Sequence, residues 1–180
     1  MSETNLIELC KSDELITPEM IRELEDEIGM RDENGKTALM YLCEYYKDIT
    51  PELIREFKNE IGIKDDKYEE TALMHLCEDN KNITPDLIRE LKDEIGIQNK
   101  YGTTALMRLC TNEAITPELI HELKDEIKLQ NENNDTAFTY LYEKNLPITP
   151  DIIRELKDTA WTEYGMEELF LCAFVKNIYL

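Results

Sequence analysis

Two histidines, His75 and His121, and five cysteines, at 10, 43, 77, 110 and 172, are the side chains of this chain best suited to metal binding or nucleophilic chemistry. A zinc site needs several such ligands at short spacing, and a general base needs positioned partners. Neither histidine has another His or Cys at ligand spacing, and no two cysteines form a CxxC pair. His121 stands where other copies of the same phrase carry Arg22, Arg55, Arg89 and Arg154, so it reads as surface. There is no Gly-rich phosphate loop and no Gly-x-Ser-x-Gly elbow. Asp93-Glu94 and Asp125-Glu126 read as solvated helix surface. The expectation is a protein with no catalytic residues, no cofactor and no metal, and so not an enzyme.

The cysteines carry a different message. Cys10, Cys43, Cys77 and Cys110 are 33, 34 and 33 residues apart. An odd number of thiols at a constant period is not a disulfide framework. Buried, reduced thiols acting as small apolar side chains fit this spacing. They predict a reducing compartment, cytoplasm or nucleus.

The elements that would position any site follow from the same period. The phrase Thr37-Ala38-Leu39-Met40-Tyr41-Leu42-Cys43 recurs at Thr71–Cys77 and Thr104–Cys110, and more loosely at Thr4–Cys10 and Thr136–Tyr142. A second phrase, Ile-Thr-Pro-acid-apolar-Ile, starts at Ile16, Ile49, Ile83, Ile115 and Ile148, at steps of 33, 34, 32 and 33. Such self-similarity means one small unit stacked on itself. In the first phrase Thr37 predicts an N-cap, and Leu39, Leu42 and Cys43 share a helical face. In the second, Thr50 caps, Pro51 occupies the first helical position, and Leu53, Ile54, Phe57 and Ile61 form an apolar stripe. Gly29, Gly62 and Gly96 stand where a helix stop is wanted, whereas Lys128 breaks the rule. Each unit therefore reads as a short helix, a tight turn, a longer helix and a polar connector. The units span 1–30, 31–63, 64–97, 98–129 and 130–161, with a half-repeat cap at 162–180 beside Trp161.

Composition bounds the function. Forty acidic side chains face twenty basic ones, for a formal charge of −20. Such a field repels phosphates, so nucleic acid and anionic membranes are poor partners. No apolar run approaches the ~20 residues of a membrane span, and Met-Ser-Glu-Thr does not open a secretory signal. The expected protein is cytoplasmic or nuclear, not secreted, and a monomer.

A unit of about 33 residues with a connector ending Asp-x-x-Gly-x-Thr resembles the ankyrin repeat. The resemblance rests on Asp32-Glu33-Asn34-Gly35-Lys36-Thr37-Ala38-Leu39 and, less fully, on Asn99-Lys100-Tyr101-Gly102-Thr103-Thr104-Ala105-Leu106. It implies an all-α, ankyrin-like helical-repeat solenoid of five repeats plus the cap. The family's Thr-Pro-Leu-His is Thr-Ala-Leu-Met here, and its Gly between the helices is replaced by Thr-Pro. The resemblance also implies a protein-binding module, such as an adaptor, targeting subunit or inhibitor. In that family the first-helix face and the connector tips line a concave surface. Carried over, they give Tyr41, Tyr45, His75, Arg108 and Tyr140 on the helices. On the connectors they give Arg31, Lys36, Lys64, Tyr68, Lys100 and Tyr101. The alternative is an acidic mimic that occupies a nucleic-acid-binding surface of a basic protein.

Overall fold

A computed structural model describes residues 4–12, 14–144, 146 and 149–160, with side chains up to 156. Trp161, Cys172 and the expected cap at 162–180 lie outside the described residues.

Each Thr-Pro phrase starts a helix for the expected reason. Thr17, Thr50, Thr84 and Thr116 are extended N-caps whose hydroxyls accept the N–H of Met20, Leu53, Leu87 and Leu119 at 3.4–3.5 Å. The missing N–H of the following Pro costs nothing at the first helical position. The resulting helices are α2 (Pro18–Glu23), α4 (Pro51–Glu56), α6 (Pro85–Glu90), α8 (Pro117–Glu122) and α10 (Pro150–Ala160). The Thr-Ala-Leu phrases give α1 (Asn5–Lys11), α3 (Ala38–Tyr45), α5 (Ala72–Asp79), α7 (Ala105–Leu109) and α9 (Ala137–Glu143). Odd-numbered helices pack each on the next to form one row, and even-numbered helices form a second. The described residues are all helix, turn and loop, without a strand. Among them, no helix is long and apolar enough to cross a membrane.

Leu39, Leu42, Cys43, Leu53, Ile54 and Phe57 lose nearly all contact with solvent, as do Leu73, Leu76, Cys77, Leu87, Ile88 and Leu91 in the next unit, whereas Leu9, Met20 and Leu24 of the first unit are half-buried. Cys10, Cys43, Cys77 and Cys110 are free and buried in this core. Side-chain amides close the helix ends. Asn80 donates to the carbonyls of Cys43 and Tyr46 at 3.2 and 3.0 Å. Asn112 does the same for Cys77 and Asn80 at 3.0 and 2.9 Å. Carbonyls that a helix C-terminus leaves open are thereby satisfied by the next unit.

Two expectations are corrected here. In the first three units the second helix is the shorter of the pair, α4 having 6 residues against 8 in α3, whereas α8 (6) and α10 (11) are longer than α7 (5) and α9 (7), as expected. After α2, α6 and α8 the chain tightens into single 3-10 turns, Glu25–Glu27, Lys92–Glu94 and Lys124–Glu126. This tightening accompanies the second correction. Glu60, Glu94 and Glu126 are at most 1% exposed, so the last acid of the Asp93-Glu94 and Asp125-Glu126 pairs is not on the surface.

Each buried carboxylate does two jobs. Glu60 accepts the Leu39 N–H at the start of α3 at 2.8 Å and the Gly29 N–H of the preceding unit at 2.7 Å. Glu94 repeats this with Leu73 and Gly62, and Glu126 with Leu106 and Gly96, at 2.6–2.8 Å. The Thr37 and Thr71 hydroxyls make no capping bond; a glutamate from the following helical segment supplies that cap. Gly62 and Gly96, at φ +86° and +87°, adopt the left-handed conformation that glycine accepts without strain. Burial pushes the carboxyls of Glu60, Glu94 and Glu126 up, while the donated N–H bonds pull them down.

The fifth unit abandons the device. Its equivalent residue is Thr159, and the preceding unit has Lys128 in place of Gly. There, Thr139 turns back to accept the Thr136 N–H at 3.2 Å. Gly and Glu are both replaced at this boundary.

Candidate partner-binding face

The connectors fold as four fingers, each organised by one residue: Asp32, Asp65, Asn99 and Asn131. One side-chain oxygen of each accepts N–H groups two to four residues ahead. Asp32 takes Asn34 and Lys36, Asp65 takes Lys67, Tyr68 and Glu69, Asn99 takes Tyr101 and Thr103, and Asn131 takes Asn133 and Asp135. This is the turn-forming use of Asp and Asn side chains. Neighbouring fingers are then joined through their backbones: Asp66 N–H to Asn34 O, Lys100 N–H to Tyr68 O and Glu132 N–H to Tyr101 O, at 2.9–3.1 Å. The approach is close at Gly102, where a Cβ would lie 2.9 Å from the Asn131 backbone.

The second polar atom of the finger residue reaches toward the first helix. Asp32 accepts the Tyr41 hydroxyl at 2.6 Å. Asn131 donates to the Tyr140 hydroxyl at 3.0 Å. Asn99 donates to Glu70 at 3.2 Å, and Glu70 also holds Arg108. Asp65 faces His75 at 3.6 Å. The helix position that changes from unit to unit therefore changes with its own finger. Tyr41, His75, Arg108 and Tyr140, expected on the binding face, are thus held by contacts within the stack. Tyr41 and His75 are only 7% and 5% exposed, and Arg108 and Tyr140 are half-buried.

The connector cations are similarly engaged. Arg31 donates to Gly35 O, to Lys64 O of the next finger and to Asp66. Lys64 donates to Gln98 O at 2.8 Å, and Gln98 to Gln130 O at 2.9 Å. Lys36 pairs with Glu44 at 2.6 Å. Lys100 reaches the Lys67 carbonyl.

Three aromatic rings of the expected set remain open to solvent: Tyr45, Tyr68 and Tyr101, at 54%, 36% and 48% exposure. Tyr68 and Tyr101 sit 6.4 Å apart on adjacent finger tips, with Lys100 within 5.1 Å of both rings. Lys67, which the sequence reading passed over, lies 4.7 Å above Tyr68. Its signal was available: it precedes Tyr68 as Lys100 precedes Tyr101. Tyr45 stacks on Tyr41 at 6.1 Å and 17°. Hydrogen bonding to Glu44, with burial, pushes its phenol up to about 12, so it remains a donor.

The opposite face is a ladder of ion pairs. Arg22, Arg55 and Arg89 each reach the glutamate of the next unit, Glu56, Glu90 and Glu122, at 2.5 Å. His121 continues the row toward Glu155 at 3.4 Å. No protein-family model matches this sequence, and comparison with curated proteins gives no significant match.

Proposed function

We propose that this chain is an ankyrin-like repeat solenoid that binds another protein through its fingers and first-helix row. The two rows of helices, the paired fingers and the recurrence of the Gly–Glu and Arg–Glu bonds between units support that reading. In it the chain is a non-enzymatic adaptor, targeting subunit or inhibitor, working as a monomer in the cytoplasm or nucleus. The observation that carries it is the Tyr68–Tyr101 pair. Exposed tyrosines flanked by lysines combine contact area with polar handles, the composition of binding hot spots. Tyr45 extends the same aromatic surface along α3.

Affinity capture from the source cell, followed by binding measurements on the captured protein, tests the proposal. Tyr68→Ala with Tyr101→Ala should weaken binding at least about tenfold if these rings are hot spots. Charge reversal at exposed Glu52 and Glu118 should leave binding intact. Glu90 and Glu122 would be poor controls, because they bridge neighbouring units. Silent tyrosine changes with loss on charge reversal would overturn the proposal. The acidic-mimic reading is less favoured, because back-face carboxylates at 56, 90 and 122 are already paired with arginine. Mimicry would also make binding fall steeply with salt.

A further inference from the structure

The third unit differs from the others in one respect. Asp65, Glu70 and His75 converge, and one potential ligand atom from each lies within 4.8 Å of the other two. All three residues are at most 5% exposed. Asp65 Oδ2 and His75 Nε2 have no hydrogen-bond partner. They face each other at 3.6 Å, too far for a hydrogen bond. That separation suits two ligands of one ion, since tetrahedral zinc bonds of about 2.0–2.1 Å set ligand atoms about 3.3–3.5 Å apart.

The surroundings orient the two carboxylates. Three backbone N–H groups hold Asp65 Oδ1, leaving Oδ2 turned inward. Asn99 and Arg108 fix the Glu70 carboxylate. Glu44, which pairs with Lys36, lies 3.8 Å from His75 Nδ1, beyond hydrogen-bond reach but on the side that must carry the proton if Nε2 is to bind a metal. Ligands oriented by outer-shell carboxylates and amides are how proteins build zinc sites. The other units cannot do this. Their equivalents are Asp32, Lys36 and Tyr41; Asn99, Thr103 and Arg108; and Asn131, Asp135 and Tyr140.

We propose that Asp65, Glu70 and His75 form a binding site for a zinc-like divalent transition-metal ion, one per chain. One imidazole with two carboxylates suits zinc, whereas Mg²⁺ demands six oxygen ligands. Bound zinc would tie the third finger to α5 in the middle of the stack.

Calorimetric titration of the metal-free full chain with ZnCl₂, in excess Mg²⁺ to occupy the acidic surface, tests this. One saturable site is expected. His75→Gln and Asp65→Asn should each weaken it at least about tenfold, as loss of even an outer-shell group can. His121→Gln should leave it unchanged. Absence of a saturable site in the wild type, or unchanged binding in both variants, overturns the proposal. Circular dichroism checks that the variants fold. If they do not, the wild-type His75 imidazole resonances decide: zinc must shift Nε2, and an unmoved Nε2 at saturation refutes the site.

Discussion

Glu94 holds Gly62 across a repeat boundary: a side-chain oxygen buried in one unit accepts, at 2.7 Å, the backbone N–H that closes the unit before it. The other oxygen of the same carboxylate starts α5 by accepting the Leu73 N–H at 2.7 Å. Glu94→Ala strands one buried and one part-buried donor and should cost about 2–4 kcal/mol. Glu94→Gln, which keeps one acceptor, should cost less. Glu90→Ala, four residues away in the exposed ladder, should cost far less than either, as surface ion pairs do. Urea unfolding of the three variants checks the order.

The pH dependence of stability has two opposing parts. Burial raises the carboxyls of Glu60, Glu94 and Glu126 above their ordinary 4.5. Between that value and the raised one the folded state holds more protons, so stability falls as pH rises through this window. Asp65 behaves oppositely. Burial raises it, but His75 and backbone donors prevail and bring it down from 3.8 to about 2. Its contribution is present above pH 3.8 and is lost as pH falls toward 2. Acidification also relieves the self-repulsion of a chain carrying −20. The melting temperature should rise as pH is lowered toward 4.5 and fall as pH drops from 3.8 toward 2. A monotonic fall from pH 7 downward would contradict this balance.

Thiol reactivity should be low. Burial pushes Cys43 and Cys77 well above the ordinary thiol value, and Cys10 up to about 12. The thiolate is the reacting form, so labelling of Cys43, Cys77 and Cys110 should be slow until denaturant is added. Mass spectrometry of iodoacetamide-treated native protein reads this directly. Rapid native labelling of all three would show that the core phase is misassigned.

Tyr41 and Tyr45 separate stability from binding. Tyr41→Phe removes the hydroxyl bond to Asp32 and should cost about 1 kcal/mol. Tyr45→Ala, at 54% exposure, should stay near ±0.5 kcal/mol, as surface changes generally do. Thermal melts of both variants test the contrast, and equal effects would refute it.

The inter-helix phrase gives another scale. Thr84→Ala should cost on the order of 1 kcal/mol, as for a lost N-cap. Leu87→Ala, which empties a core position, should cost about 2–5 kcal/mol. Equal near-zero losses in denaturant titrations would mean that α6 does not pack as described.

The all-helical architecture was legible because a 33-residue recurrence with Thr-Pro starts leaves few other solutions. The buried thiols were legible for the same reason. The glutamate bonds were hidden because an acid next to other acids on a helix reads as solvated. A signal did exist: Glu-Ile-Gly recurs at 27–29, 60–62 and 94–96 and becomes Glu-Ile-Lys at 126–128. The candidate site was harder. Variation at 41, 75, 108 and 140 follows the finger residues at 32, 65, 99 and 131. Their partnership spans about ten residues and leaves no periodic trace. Asp65, Glu70 and His75 are likewise close in sequence but are drawn together only by the turn of the finger.

The Gly–Glu bond also bears on how such a chain can change length. A unit that ends in Gly and contributes its own Glu offers the same half-bond at each boundary. A duplicated copy of 64–97 placed after residue 97 would offer its Glu to Gly96 on one side and its Gly to Glu126 on the other. Growth by duplication therefore keeps the Gly–Glu joint intact anywhere between Gly29 and Glu126. Beyond Lys128 the joint is of another kind, and there the chain can be extended only by inventing a new one.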